Sequence, residues 1–167
     1  MITALDTPID QLDPQERKFV AIMREHGWHH MGVLGDSGHQ EFSYSTGFWL
    51  TFRHPEIIVF SLPQKVANEV LWDIYGDIRN GRIFPAGVRL STVFADTDAY
   101  LMPVSEQHYA GYLGWSCWFY GHHGFPCLQL VWPDQQGAFP WEASWRHTSP
   151  ALHPDLTPGG WIRALKS

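Results

Sequence analysis

The period of the apolar positions changes several times along the chain, and each change marks an element. Behind Asp13-Pro14-Gln15-Glu16, residues Phe19, Ile22, Met23 and His26 share one face at helical spacing. Asp13 is placed to cap this helix, Pro14 to fill its first position and Glu16 to complete a capping box, and Gly27 closes it; the spacing predicts a helix over 14–26. "WHHMGVL" (28–34) then reads as a strand that leads through Gly35, Asp36, Ser37 and Gly38 into a second strand over 40–48. In the second strand Phe42, Tyr44, Thr46 and Phe48 fall on one side and Ser43 and Ser45 on the other, so the pair reads as a hairpin with one aromatic face.

"EIIVFSL" (56–62) is apolar on both faces, as a central strand covered on both sides would be, and Arg53-His54-Pro55 breaks the chain before it. The break reads as a structural turn in which Glu56 or the His54 ring satisfies freed backbone groups. Pro63 precedes a helix over 64–80, in which Val66, Val70, Leu71, Ile74 and Ile78 keep helical spacing up to Asn80-Gly81. Further strands are expected at 87–95, 99–104 and 126–132, and Ser105-Glu106 opens a third helix to about residue 120, weakened by Gly111 and Gly114. Pro133 to Gly137 forms a turn, and Pro150, Pro154, Pro158 and Gly159-Gly160 describe an extended tail.

Without a regular strand-helix alternation, this order predicts an α+β domain: a mainly antiparallel curved sheet or partial barrel with about three helices. Residues 1–141 form the single domain, and 142–167 a Pro/Gly-rich tail packed on it. Ile58, Phe60, Val70, Leu71 and Leu130 are expected in one contiguous buried cluster.

Composition narrows the function. A chain of 167 residues with 44% hydrophobic and 17% charged residues buries an independent core. Its net charge of −6 opposes a polyphosphate and suits a basic partner, so nucleic acid is not expected. Cys117 and Cys127 form no C-x-x-C pair, and the N-terminus has acidic residues where a signal peptide would be basic; a cytoplasmic protein without a membrane span is the expectation.

Ten histidines raise the question of a metal. In a strand His29 and His30 point to opposite faces and His26 belongs to the preceding helix, so no metal site is read from them. "GWSCW" has Trp118 where a nucleophile elbow needs its second glycine, and the carboxylates select no acid/base pair. No catalytic residue and no cofactor is therefore assigned. Of nine tryptophans, six lie at or beyond residue 115. The loop at His122-His123 together with Trp141, Glu142 and Trp145 is the candidate partner surface, since Trp is enriched at binding hot spots.

The segments "HGWHHMGV", "FSYSTGFW", "RHPEIIVFSLP", "RNGRIFPAG" and "LQLVWPDQQGAFPW", in this order, resemble a family of small bacterial proteins, the domain of unknown function 4262, over residues 26–141. Tyr44-Ser45-Thr46-Gly47 stands at the family's Y-T-x-G segment, Phe48 replaces its Leu, and Ser61 replaces a Gly. The resemblance implies a bacterial source and, because members are similar to proteins encoded beside secreted toxins, an immunity role. The leading expectation is thus a non-catalytic protein that neutralises a bacterial toxin, basic and of the nuclease kind. The alternative is a small enzyme similar to the flavin-binding split barrel, with Arg53, His54, Ser61 and Lys65 on the phosphate side. A structural domain without a small ligand is the third reading.

Overall fold

A computed structural model describes residues 1–37, 40–146 and 152–166; Gly38 of the expected hairpin turn and Pro150 of the tail lie outside the described residues. The strands are β1 (His29–Val33), β2 (Phe42–Thr46), β3 (Glu56–Phe60), β4 (Arg89–Leu90), β5 (Ala99–Pro103) and β6 (Cys127–Val131), and they form one open sheet in the order β1-β2-β3-β6-β5-β4. Only β3 and β6 run parallel; the other pairs are antiparallel. The α+β class and the mainly antiparallel sheet are as expected, whereas the partial-barrel form does not occur, because β1 and β4 remain unjoined at opposite edges.

Helix α1 (Pro14–His26) begins and ends where its signals stand. Asp13 accepts from the N–H groups of Gln15 and Glu16, Glu16 caps in return, and Gly27 at φ 78° donates to the Met23 carbonyl. Strands β1 and β2 form the expected hairpin, with His29 opposite Thr46 and Val33 opposite Phe42. The second strand stops at Thr46 instead of running to 48, because Gly47 turns to φ 117° and a short helix, α2 (Phe48–Phe52), follows. At Gly47 a Cβ would stand 2.6 Å from the Gly27 carbonyl oxygen and 2.8 Å from the Trp28 Cα, so this crossing admits only glycine. Helix α3 (Gln64–Arg79) matches its pattern, burying Ala67, Val70, Leu71, Ile74 and Ile78.

The expected third helix is broken at Leu113 into α4 (Tyr109–Tyr112) and α5 (Gly114–Tyr120), and the strand expected at 87–95 shrinks to the two residues of β4. In the tail, Leu156 joins the core and its carbonyl accepts from the Ser105 N–H. A final turn of helix, α6 (Trp161–Ala164), packs its Ala164 beside Met102, Val131 and Phe139.

All five of the expected core residues are buried, but they do not form one cluster. Ile58 and Phe60 pack with Phe42, Tyr44, Phe19 of α1 and Phe119 of α5, whereas Val70, Leu71 and Leu130 pack with Ile57 and Val59 on the α3 side. Strand alternation is the cause: successive residues of β3 point to opposite faces, so a strand apolar throughout feeds two layers. That two-sided burial makes β3 the centre of the molecule, and its first residue is Glu56.

Candidate functional site

Glu56 is 0% exposed and its five partners are all neutral donors. Its Oε1 accepts from the N–H of Gly47 at 2.9 Å, the N–H of Trp49 at 3.1 Å and the Tyr120 hydroxyl. Its Oε2 accepts from the Ser45 hydroxyl at 2.6 Å and the Phe48 N–H at 3.3 Å. Ser45 in turn accepts from the Ile57 N–H at 2.9 Å, and Thr46 and Ser116 share a hydroxyl hydrogen bond of 2.6 Å. The carboxyl therefore occupies the N-terminal end of α2, where orphan backbone donors and the aligned peptide dipoles favour negative charge.

Burial pushes the Glu56 carboxyl above the usual carboxylate range, while the donors from Ser45, Tyr120, Trp49 and Gly47 pull against that shift. Burial, reinforced by Glu56, holds the Tyr120 hydroxyl and the Cys127 thiol protonated at neutral pH. Cys117 is likewise pushed up by burial, so neither cysteine is an activated nucleophile. The "YSTG" strand end and the "HPE" break thus meet in one inward-facing hub that fixes where α2 starts. The turn reading of the break is realised by Glu56; His54 contributes a bond between its Nδ1 and the Pro55 carbonyl at 2.7 Å.

The four residues of the flavin-like constellation are divided between the two ends of β3. Arg53 and His54 precede the strand. Ser61 follows it at φ 60°, donating to the Leu152 carbonyl at 2.9 Å, and Lys65 is exposed in the first turn of α3. Five strand residues lie between, a span of roughly 16 Å at about 3.3 Å per residue. Ser61, which stands where the resembling family has glycine, keeps the left-handed conformation that glycine adopts freely.

The partner-surface residues are divided in the same way, at the two ends of β6. His122 and His123 are exposed in the loop before the strand, where the His122 Nδ1 accepts from the Gly124 N–H at 2.9 Å. Beyond the strand Trp141 is half-buried, stacked on Phe139 at 5.1 Å and set edge-on to Tyr100 at 5.0 Å. The Glu142 carboxylate accepts from the Phe139 N–H at 2.7 Å, and Trp145 is half-buried near the His153 ring at 5.9 Å. Trp141 and Glu142 hold the turn after β6.

The N-terminal segment lies instead against the end of α5, ahead of the His122-His123 loop. A groove of about 360 Å³ runs between them, lined by Ile2, Leu12, Glu16, Trp118 and Gly121. Ile2 and Ile9 are exposed by 84% and 60%, more than most large apolar side chains here. Asp6, Asp10, Asp13 and Glu16 precede the first basic side chain, Arg17, so the same segment is acidic. In the sequence Asp13 and Glu16 read as caps, and the acidic N-terminus as the opposite of a signal peptide; the four carboxylates before any Lys or Arg were the available signal for a surface.

Among the described residues no group of three His, Cys, Asp or Glu is placed to hold a metal ion. His29 packs on Phe19 at 5.0 Å and His26 stands edge-on to Trp72 at 5.7 Å. A family model described as a domain of unknown function, DUF4262, matches residues 22–146. No curated protein and no solved structure matches the chain.

Proposed function

The chain belongs to the DUF4262 family, and from that premise we propose that it is a non-catalytic bacterial binding protein, an immunity protein that neutralises a secreted toxin of basic character in the cytoplasm. The observation that carries this reading is the acidic and apolar surface of the N-terminal segment, which lies against the end of α5. Exposed Ile2 and Ile9 supply anchors, and the surrounding carboxylates supply the complement to a cationic protein. A nuclease toxin is the favoured class, because an enzyme that approaches phosphates presents a basic cleft, and an acidic inhibitor gains association rate against it. The Glu56 hub supports the same reading: the polar side chains of the "YSTG" and "HPE" segments face inward and hold the scaffold on which the surface stands.

The test is capture of the partner from the native bacterium, followed by co-expression and calorimetry. The captured protein should arrest growth when expressed alone, and co-expression with this chain should restore it. Ile9→Glu should weaken binding by about tenfold or more, and Asp10→Lys should slow association, less so at high salt. A captured protein that is harmless alone, or an affinity untouched by both changes, overturns the proposal. A purified protein carrying a bound yellow chromophore would favour the flavin reading instead.

A further inference from the structure

On the α3 side of the Glu56 hub the "HPE" break meets the end of α3. The chain there forms a groove of about 350 Å³ walled by Phe52, Pro55, Ile78, Ile83 and Phe84, with His54 among them. We propose that this groove binds a small uncharged aromatic molecule carrying one N–H or O–H donor, and that His54 Nε2 accepts from that donor.

The His54 ring sets the polarity of the ligand. Its Nδ1 lies 2.7 Å from the Pro55 carbonyl oxygen, which can only accept, so Nδ1 carries the hydrogen and Nε2 the lone pair. The residue is 9% exposed, and Nε2 is buried with no hydrogen-bond partner among the described residues. Burial lowers the ring's pKa, against the opposing pull of the Pro55 carbonyl, and so keeps the ring neutral. A buried acceptor that no donor of the fold reaches complements a ligand's donor and repels an anion. The walls set the body of the ligand. Ile78 and Phe84 are buried, the Phe84 ring stands edge-on to His54 at 6.0 Å, and Ile83, exposed by 83%, supplies apolar surface that the described fold leaves open. Among the described residues the charged side chains that line the groove are Arg53 and Arg82, which disfavour a cation. Neither of them calls for an anion, because Arg82 pairs with Asp77 at 2.6 Å and the Arg53 guanidinium lies 5.6 Å from the Trp49 ring centre. An uncharged ring system with one donor satisfies the lone pair and the walls together. Ligand pockets span about 300–1,000 Å³, and a groove near the lower end of that range suits one ring or two fused rings. The groove belongs to the α3 layer, whereas Ala4 and Leu12 of the N-terminal segment pack in the other layer, so the site is independent of the toxin-binding reading.

Calorimetric titration of the full chain with indole, 3-methylindole and 1-methylindole tests the site, since the last has the same ring system with its donor blocked. Indole and 3-methylindole should bind about tenfold more tightly than 1-methylindole, the share of a single hydrogen bond to a buried acceptor. In the nitrogen-15 spectrum of the unaltered protein the lone-pair Nε2 signal of His54 should move upfield as indole is added and stay in place with 1-methylindole. His54→Phe, which keeps a planar ring and removes the acceptor, should abolish the preference. Ile83→Asp, at an exposed position that folding does not require, should weaken all three probes. Equal affinity for indole and 1-methylindole, absence of binding of any probe at about 1 mM, an Nε2 signal unmoved by bound indole, or affinities untouched by Ile83→Asp would each overturn the proposal, as would a folded His54→Phe chain that keeps the preference.

Discussion

Replacing Glu56 by Gln keeps the shape of the hub and reverses the chemistry of one of its atoms. Oε1 receives three donors, so an amide nitrogen there would face the Gly47 and Trp49 N–H groups and the Tyr120 hydroxyl. The amide will therefore turn its nitrogen to the Oε2 place, where it meets the Ser45 hydroxyl and the longer Phe48 bond of 3.3 Å. Ser45 can rotate its hydrogen away and accept, but the Phe48 N–H loses its acceptor. A buried unpaired donor costs about 1–3 kcal/mol, and the remaining bonds fall from the charge-assisted range of about 1.5–3 kcal/mol towards about 1 kcal/mol each. Relief of the buried charge offsets part of this. The net expectation is a loss of roughly 2–3 kcal/mol, equivalent to a melting temperature lower by about 5–10 °C for a domain of this size.

Hydrogen exchange at Gly47, Phe48 and Trp49 provides the local measurement. Protection of these amides should fall in Glu56→Gln by more than that of the α3 amides. The pH dependence has a definite sign as well. A carboxyl raised by burial stays protonated in the folded chain after the unfolded chain has released its proton, so this group's contribution is fully present below the ordinary carboxylate range and is lost as pH rises through the higher folded value. Glu56→Gln should lack that slope. A variant within about 0.5 kcal/mol of the parent, with unchanged amide protection, would refute the cap.

Three further outcomes follow from the packing. Gly47→Ala should cost about 3 kcal/mol or more, because a Cβ at φ 117° would meet the Gly27 oxygen at 2.6 Å; a thermal unfolding curve superimposable on the parent's would refute the close approach. Phe60→Ala, which empties a side chain only 2% exposed between Phe42 and Tyr112, should cost about 3–5 kcal/mol in urea unfolding, and a small loss would mean that this layer is loosely packed. Burial, then the neighbouring His30, Lys18 and His26 charges, lowers the His29 pKa from 6.5 to about 4, so stability present above pH 6.5 is lost as pH falls to about 4. Because that ring is partly open to solvent, the loss should be about 1–2 kcal/mol, and a His29→Gln chain should show a flatter acid limb; identical limbs would sink the assignment.

The elements legible in the sequence are those whose signals lie within a turn or two of their own residues. The Asp13-Glu16 capping box, Pro14 and Gly27 delimit α1 because each satisfies backbone groups of that same helix. The period of Val70, Leu71, Ile74 and Ile78 sets the buried face of α3, and the alternation of Phe42 and Tyr44 against Ser43 and Ser45 sets the two faces of β2. The role of Glu56 was legible for the same reason, since a carboxylate just after a proline break stands close to freed amides. Tertiary structure decided the rest, where the deciding partner is remote in sequence. Helix α2 has no capping residue of its own and draws its acceptor from β3, while the Tyr120 donor to that carboxylate comes from 64 positions away. The parallel pairing of β3 with β6 and the separation of Ile58 from Leu130 depend on which helix covers which face. Both groups of candidate site residues divided at strand ends for a related reason: closeness in sequence brings side chains together within a loop, but a strand of five residues carries whatever follows it to the opposite edge of the domain.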